Sequence, residues 1–136
     1  MKADVAVGFA ADEQGNGVAY VRLGAGGERA RLMRVAFTVK RYPALLEREV
    51  GYAALTAASN ALRARGVRRV RLAVDDPRLA AEVREHRDVP APLTMAYVRL
   101  GCALNQFAEY EIAELPQGES DLRSRARAEV AVHAAA

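Results

Sequence analysis

The residues best suited to chemistry are an aspartate at the end of a predicted strand and several groups of arginines. Asp75 follows the alternating apolar segment in VRRVRLAVDD, residues 67–76. Ligands of open α/β sheets bind beyond the carboxyl ends of the strands, so the position of this acid itself points to a site. The arginines form three groups: Arg63, Arg65, Arg68, Arg69 and Arg71; Arg29, Arg31 and Arg34; Arg123, Arg125 and Arg127. Guanidinium groups contact phosphates, so a nucleic-acid surface is one interpretation of these groups, and a solvated arginine-rich surface is the equally good alternative.

Other catalytic and metal-binding patterns are missing from the sequence. His86 and His133 lie far apart and have no partner at metal-ligand spacing. The segment GAGG, residues 24–27, lacks the Lys-Ser/Thr of a phosphate-binding loop. The single cysteine, Cys102, lies in an apolar stretch and is expected to be a buried, inert thiol.

Length and composition predict one globular domain over residues 1–136. The chain is 51% hydrophobic and 27% charged, which is typical of folded rather than disordered proteins. No apolar run approaches the roughly 20 residues of a membrane span, and none near the N-terminus resembles a signal peptide. We therefore expect a cytoplasmic protein with no membrane partner. The net charge of +3 favours polyanionic partners only modestly.

Hydrophobic periodicity predicts the order β-β-β-α-β-α-α-β-α. The predicted strands cover residues 5–10, 18–23, 29–39, 67–76 and 109–115. The first turn, residues 12–17, contains Gly-Asn-Gly to supply positive φ. Helices are predicted from Pro43 to a stop at Gly66, from Pro77, over residues 93–107, and after an N-cap at Ser120. A helix between a meander and the next strand is a crossover, so the fourth strand should run parallel to the first.

This order, together with two local segments, resembles the ribonuclease H-like family. The hairpin VAVGFAADEQGNGVAYVRL is similar to the family's opening strands and glycine-bearing turn. The segment GYAALTAASNALRARGVRRVRLAVDD resembles its central helix and fourth strand, and the resemblance covers nearly the whole chain. It implies an α/β fold with a five-stranded mixed sheet, in which a three-stranded antiparallel meander is joined to parallel strands and helices cover both faces.

The resemblance also implies a chemistry, namely phosphodiester hydrolysis by two divalent ions, Mg²⁺ or Mn²⁺, held by four carboxylates. Of those four, only Asp75 transfers cleanly. Gly8 and Gly51 stand where the family's first-strand and central-helix acids are expected. Near the last helix, Asp121 and Glu129 are the available acids, and neither fits the register well.

An active enzyme would need relocated acids around Asp75. Glu47 is the best candidate for a second catalytic residue, because it lies four residues before Gly51 and shares its helix face. Asp12 and Asp121 are further candidate metal ligands. The ordinary interpretation is that Glu47 pairs with an exposed cation, whereas Asp12 and Asp121 are turn and helix-start residues.

Three functions follow from these observations. We favour a catalytically degenerate ribonuclease H-like domain, without a cofactor, that binds an RNA–DNA hybrid or a duplex or serves as an assembly module. Its nucleic-acid contacts would be Arg63, Arg65, Arg68, Arg69, Arg123 and Arg125. The first alternative is an Mg²⁺- or Mn²⁺-dependent hybrid endoribonuclease with relocated carboxylates. The second is a homodimer with no nucleic-acid role, in which Tyr97, Leu100 and Leu104 form an interface instead of core.

Overall fold

The elements follow one another in the predicted order, and a computed structural model describes them over residues 2–24, 31–39, 46–85, 89–115 and 121–135. The strands are β1 (Ala3–Ala11), β2 (Asn16–Leu23), β3 (Arg31–Thr38), β4 (Arg69–Val74) and β5 (Glu109–Glu114). The helices are α1 (Leu46–Ala64), α2 (Pro77–Glu85), α3 (Thr94–Asn105) and α4 (Asp121–Ala135). A single 3-10 turn, Ala91–Leu93, precedes α3.

The strands form one mixed sheet in the order β3-β2-β1-β4-β5. β1 pairs antiparallel with β2, and β2 pairs antiparallel with β3, which gives the predicted meander. β4 lies parallel to both β1 and β5. Val7 is the register partner of Val74, so Gly8 and Asp75, each one residue further on, reach the same level of the sheet.

Helices cover both faces of the sheet, as predicted. Val5, Val7 and Phe9 of β1 point into the main core against α1, because alternate residues of a strand face the same side. Gly8 faces the opposite side, where α4 packs against β1 and β2. The sheet therefore separates a large core from the smaller layer beneath α4.

Helix α1 is the main support of the core. Its residues Leu55, Ala58 and Leu62 are fully buried, and they recur at the three- and four-residue spacing that one helical face requires. Burying each leucine contributes about 1.5–3 kcal/mol. Gly66, with φ of 88°, ends the helix as predicted. The predicted helix start at Pro43 and the predicted N-cap Ser120 lie outside the described residues.

One local prediction was confirmed in part, and another was wrong. Gly15 has the positive φ of 86° in the first turn, whereas Gly17 lies within β2 opposite Ala11 and does not supply a second one. Cys102 is exposed and not buried. The reason is helical phase: Leu100 and Leu104 face the core, and a residue two positions from either points away from it.

The burial of the side chains of α3 shows which of its apolar residues belong to the core. Leu100 and Leu104 are each 1% exposed, and the ring of Tyr97 meets that of Tyr52 edge-on with centroids 6.2 Å apart. Leu100 and Leu104 are therefore core and are not available to form an interface, whereas Tyr97 is half-buried and packs against the core. Among the described residues, no helix combines the length and apolar character needed to cross a membrane.

Candidate functional site

An ion pair between Asp75 and Arg123 occupies the carboxyl end of β4. Asp75 directly follows the strand, and its side chain is 11% exposed. Arg123, in the first turn of α4, donates from Nε to both carboxylate oxygens at 3.0 and 2.9 Å, and from Nη2 to Oδ1 at 2.7 Å. This forked geometry is the strong form of the arginine–carboxylate hydrogen bond. The one carboxylate that matches the family position is therefore already compensated by a fixed cation.

A phenyl ring helps to hold the guanidinium at this position. The Cζ atom of Arg123 lies 5.0 Å from the ring centroid of Phe9, within the range of a cation–π contact. Phe9 belongs to β1 and Asp75 follows β4, so two neighbouring parallel strands orient one side chain of α4.

Backbone of α4 occupies the space at Gly8. A Cβ atom built on Gly8 would lie 2.6 Å from both the carbonyl carbon and the Cβ of Leu122, and would overlap the backbone nitrogen of Arg123. The backbone of a packed helix cannot move aside in the way that the end of a flexible side chain can. The absence of a side chain at position 8 therefore permits the close approach of α4 to β1, and this approach excludes a carboxylate there.

The space at Gly51 is also filled, in this case by apolar side chains. A Cβ atom at Gly51 would lie 2.7 Å from Cδ2 of Leu79 and 3.3 Å from Cζ of Phe9. Leu79 is 3% exposed and Phe9 is 5% exposed, so this neighbourhood is core. An ionised carboxylate at such a place would lose hydration without gaining a ligand.

The acids considered as replacements are used elsewhere or lie apart. Oδ1 of Asp12 accepts the backbone N–H groups of Gln14 and Asn16, at 2.8 and 3.0 Å, and so fixes the first hairpin turn. Asp12 lies four residues beyond Gly8, which is about 13 Å along an extended chain. The side chain of Asp121 is 81% exposed and lies 3.4 Å from Arg22. Glu47 is exposed in the first turn of α1.

Glu129, the other acid of the last helix, is held by two partners on the sheet. Its carboxylate accepts hydrogen bonds from the Tyr20 hydroxyl and from Nε and Nη2 of Arg34, the latter at 2.6 Å. The hydrogen bond to Glu129 raises the pKa of Tyr20 above its ordinary value of 10.0, and burial adds to the effect. Glu129 therefore anchors α4 to β2 and β3.

These residues do not fit a pair of Mg²⁺ ions. Within the described ranges, no three His, Cys, Asp or Glu side chains are grouped closely enough to hold a metal ion. Two Mg²⁺ ions about 4 Å apart require several carboxylate oxygens from converging elements. Of the two described acids that follow β4, Asp75 has both carboxylate oxygens bound by Arg123, and Asp76 accepts the backbone N–H of Leu79 at 3.1 Å.

The arginines assigned to nucleic acid lie at two separate places. Four lie where α1 ends and β4 begins: Arg63, Arg65, Arg68 and Arg69. Arg123 and Arg125 lie at the start of α4, where Arg125 is exposed and its Cζ is 5.2 Å from the ring centroid of Tyr20. Arg69 and Asp75 are six residues apart along extended chain, about 20 Å, so the two places are at opposite ends of β4.

The sequence did not reveal a buried polar cluster between α1 and α2. Glu82 is 7% exposed and forms an ion pair with Arg48, and it also accepts a hydrogen bond from the Tyr52 hydroxyl at 2.5 Å. Burial raises the pKa of Tyr52 to about 12. Glu82 lies in a charged helix, PRLAAEVRE, and nothing in that local sequence marks it as buried.

Comparison with solved structures identifies the fold. RNase H1 from the halophilic archaeon Halobacterium salinarum superposes with a TM-score of 0.71 at 19% identity, over 98% of this chain and 99% of that one. The N-terminal RNase H domain of a Mycobacterium tuberculosis protein gives 0.69 at 13% identity, over 93% and 95% of the two chains. LC11-RNase H1 in complex with an RNA/DNA hybrid gives 0.71 at 10% identity, over 99% and 100%.

Sequence comparison adds no closer assignment. No model of a known protein family matches the chain, and no curated protein sequence matches it. The structural matches extend over nearly the whole chain, although their sequence identities are below 20%. Together with the strand order and the helices on both faces of the sheet, they show that this chain has the ribonuclease H-like fold.

Proposed function

We propose that the chain is a ribonuclease H-like domain that binds nucleic acid and does not hydrolyse it. The proposal that the domain does not hydrolyse nucleic acid rests on the forked ion pair between Asp75 and Arg123. A divalent cation at Asp75 would have to displace a guanidinium bound to both carboxylate oxygens. Within the described part of the chain, β1 and α1 would supply no second carboxylate in return, because Gly8 and Gly51 lie at the positions concerned.

The closed packing around this pair supports the same conclusion. Recreating the metal site would need a side chain at position 8, where α4 leaves no room, and a charged one at position 51, where Leu79 and Phe9 pack. Each change would strain or desolvate its surroundings. Catalytic carboxylates must also be placed to within a fraction of an ångström, because a misplacement of about 1 Å can cost 10²-fold in rate.

The proposal of nucleic-acid binding draws on charge and on the ligand of a protein with the same fold. The chain carries a net charge of +3, and several of its arginines are exposed. LC11-RNase H1 has been solved in complex with an RNA/DNA hybrid. Protein atoms that occupy the space of a metal site do not remove the basic surfaces of the domain. Those surfaces can still contact the phosphates of a nucleic acid.

A binding titration with a fluorescent RNA–DNA hybrid in Mg²⁺ tests this function. We expect saturable binding that weakens steeply as salt rises, since phosphate contacts release counterions. The hybrid recovered from the same samples should be intact on a denaturing gel. Absence of binding at low salt, in protein shown to be folded, would refute the nucleic-acid role. Shortened RNA would refute the non-cleaving role.

A further inference from the structure

The arginines of this protein differ in whether a carboxylate neutralises them. Among the described residues, seven form an ion pair with an acid: Arg22, Arg34, Arg48, Arg71, Arg78, Arg84 and Arg123. By contrast, no described acid forms an ion pair with the four arginines around Gly66, which are Arg63, Arg65, Arg68 and Arg69. Residues 50–74 contain no Asp or Glu, so no acid lies within five residues of these four arginines along the chain.

A shallow groove extends this positive region from α1 to α3. It has a volume of about 580 Å³, and Arg63 of α1 and Arg99 of α3 both line it. Asn60 and Gln106 line it too, and among the described residues no carboxylate does. Nη2 of Arg63 donates a hydrogen bond to the side-chain oxygen of Asn60, which orients the guanidinium in the groove. Guanidinium and amide groups are the usual donors to phosphate oxygens.

The turn that presents these arginines is fixed by backbone hydrogen bonds. The N–H of Gly66 donates to the carbonyl of Arg63 at 3.0 Å, and that of Val67 donates to Leu62 at 3.1 Å. The carbonyl of Arg68 accepts from Ala108 at 2.8 Å, which ties the turn to the start of β5. A Cβ atom at Gly66 would have no neighbour within 4 Å, so this turn stands open to an approaching ligand.

We infer that this surface contacts the phosphate backbone of duplex nucleic acid, at the end of the domain remote from Asp75. Its members are Arg63, Arg65, Arg68, Arg69 and Arg99, and we call it the arginine edge. The favourable effect of basic residues on a helix C-terminus would explain Arg63 and Arg65 alone. It would not explain Arg68, which precedes β4, Arg69, which begins it, or Arg99, which lies in α3. This inference rests on the proposed nucleic-acid-binding function.

A pair of matched double variants tests the arginine edge in the full chain. The first is Arg68→Gln/Arg69→Gln, and its control is Arg78→Gln/Arg84→Gln. Both remove two positive charges, and all four side chains are exposed. The control arginines differ in having acidic partners, Glu82 and Glu114. Each protein is titrated with the fluorescent RNA–DNA hybrid at several salt concentrations.

We expect the slope of log K, where K is the binding constant, against log salt to become less steep by about 0.9 for each phosphate contact removed. In the first variant the change should be about 1.8. The control should lose much less, because its arginines are already neutralised. Wild-type binding with equal losses in both variants, or with no loss in either, would overturn the arginine edge and leave the proposed function standing. Failure of the wild type to bind would overturn both.

Discussion

At Asp75, a guanidinium lies where the family resemblance implies a metal ion. A Mg²⁺ ion and a guanidinium both neutralise the charge of the carboxylate, but they differ in their ability to activate water. A Mg²⁺ ion keeps open positions for water and for a phosphate oxygen, whereas a guanidinium forms directed hydrogen bonds and activates no water. The side chain of Arg123 therefore preserves the local charge balance of the fold without the group that would perform hydrolysis.

Substitution of either partner should reveal a structural ion pair. We expect Asp75→Asn and Arg123→Gln each to lower the free energy of unfolding by about 1–3 kcal/mol, since each leaves a mostly buried group without its charge partner. The double variant should lose less than the sum of the two, and a coupling of about 1 kcal/mol or more is expected. Denaturant unfolding of the four proteins measures this. Strictly additive losses would show that the two side chains do not support one another.

Gly8 and Gly51, where the family resemblance implies acids, should respond differently to alanine. Gly8→Ala forces Cβ against backbone of α4, and we expect a loss of about 1–3 kcal/mol or more. Gly51→Ala meets the flexible end of Leu79, and alanine is favoured over glycine in a helix by about 1 kcal/mol. The second variant should therefore stay within about 1 kcal/mol of the wild type. Thermal or denaturant unfolding distinguishes the two, and equal losses would argue against the close approach of α4 at Gly8.

At the scale of elements, the contact between α1 and α2 depends on a polar cluster within the core. Tyr52 and Arg48 of α1 both reach Glu82 of α2, and all three are largely removed from water. A buried carboxylate is tolerated only when paired and hydrogen-bonded, so the two helices can pack here only in this relative position. Leu79, on the same face of α2, fills the space beside Gly51. The position of α2 thus helps to fill the space beside Gly51.

The raised pKa of Tyr52 predicts a loss of stability in alkali. Its pKa is about 12 in the folded protein, against 10.0 for an unperturbed tyrosine. A group whose pKa is higher in the folded protein than in the unfolded protein contributes its full stabilisation below the unfolded pKa. This contribution is lost as the pH rises towards the folded pKa. Through this residue, the free energy of unfolding should fall by about 1 kcal/mol between about pH 9 and about pH 11.

The variant Tyr52→Phe provides the control for this effect. It removes the titrating hydroxyl, so its free energy of unfolding should decline less over the same pH interval, although it starts lower because the bond to Glu82 is lost. Denaturant unfolding at the two pH values measures the difference between the proteins. An equal decline in wild type and variant would show that burial of Tyr52 does not govern this loss.

At the scale of the whole molecule, the sequence predicted the fold better than the site. Apolar periodicity placed the central helix and the strand before Asp75, because burial of one face dictates the spacing along each element. The partner of Asp75 was not predictable, because Arg123 is 48 residues away and arginine has ordinary surface roles. The sequence places Gly8 and Gly51 where the resemblance implies acids, but only the packing of α4 and Leu79 revealed that the space beside them is filled.

We also propose that the chain unfolds as one cooperative unit. β1 at the centre of the sheet contacts both the main core and α4, so neither layer is expected to persist without the other. Circular dichroism and tyrosine fluorescence should give coincident denaturant transitions. Two separated transitions would indicate that the layer beneath α4 is an independent unit.

The most direct test of the account is a cleavage assay with a labelled RNA–DNA hybrid and excess protein in Mn²⁺ or Mg²⁺, comparing wild type with Asp75→Asn. Because Arg123 binds both oxygens of Asp75, and the described residues group no three side chains able to hold a metal ion, we predict that neither protein cleaves the hybrid above the background without protein. Cleavage by the wild type that Asp75→Asn abolishes would contradict the account, and would mean that a metal ion displaces Arg123 and that other acids complete the site.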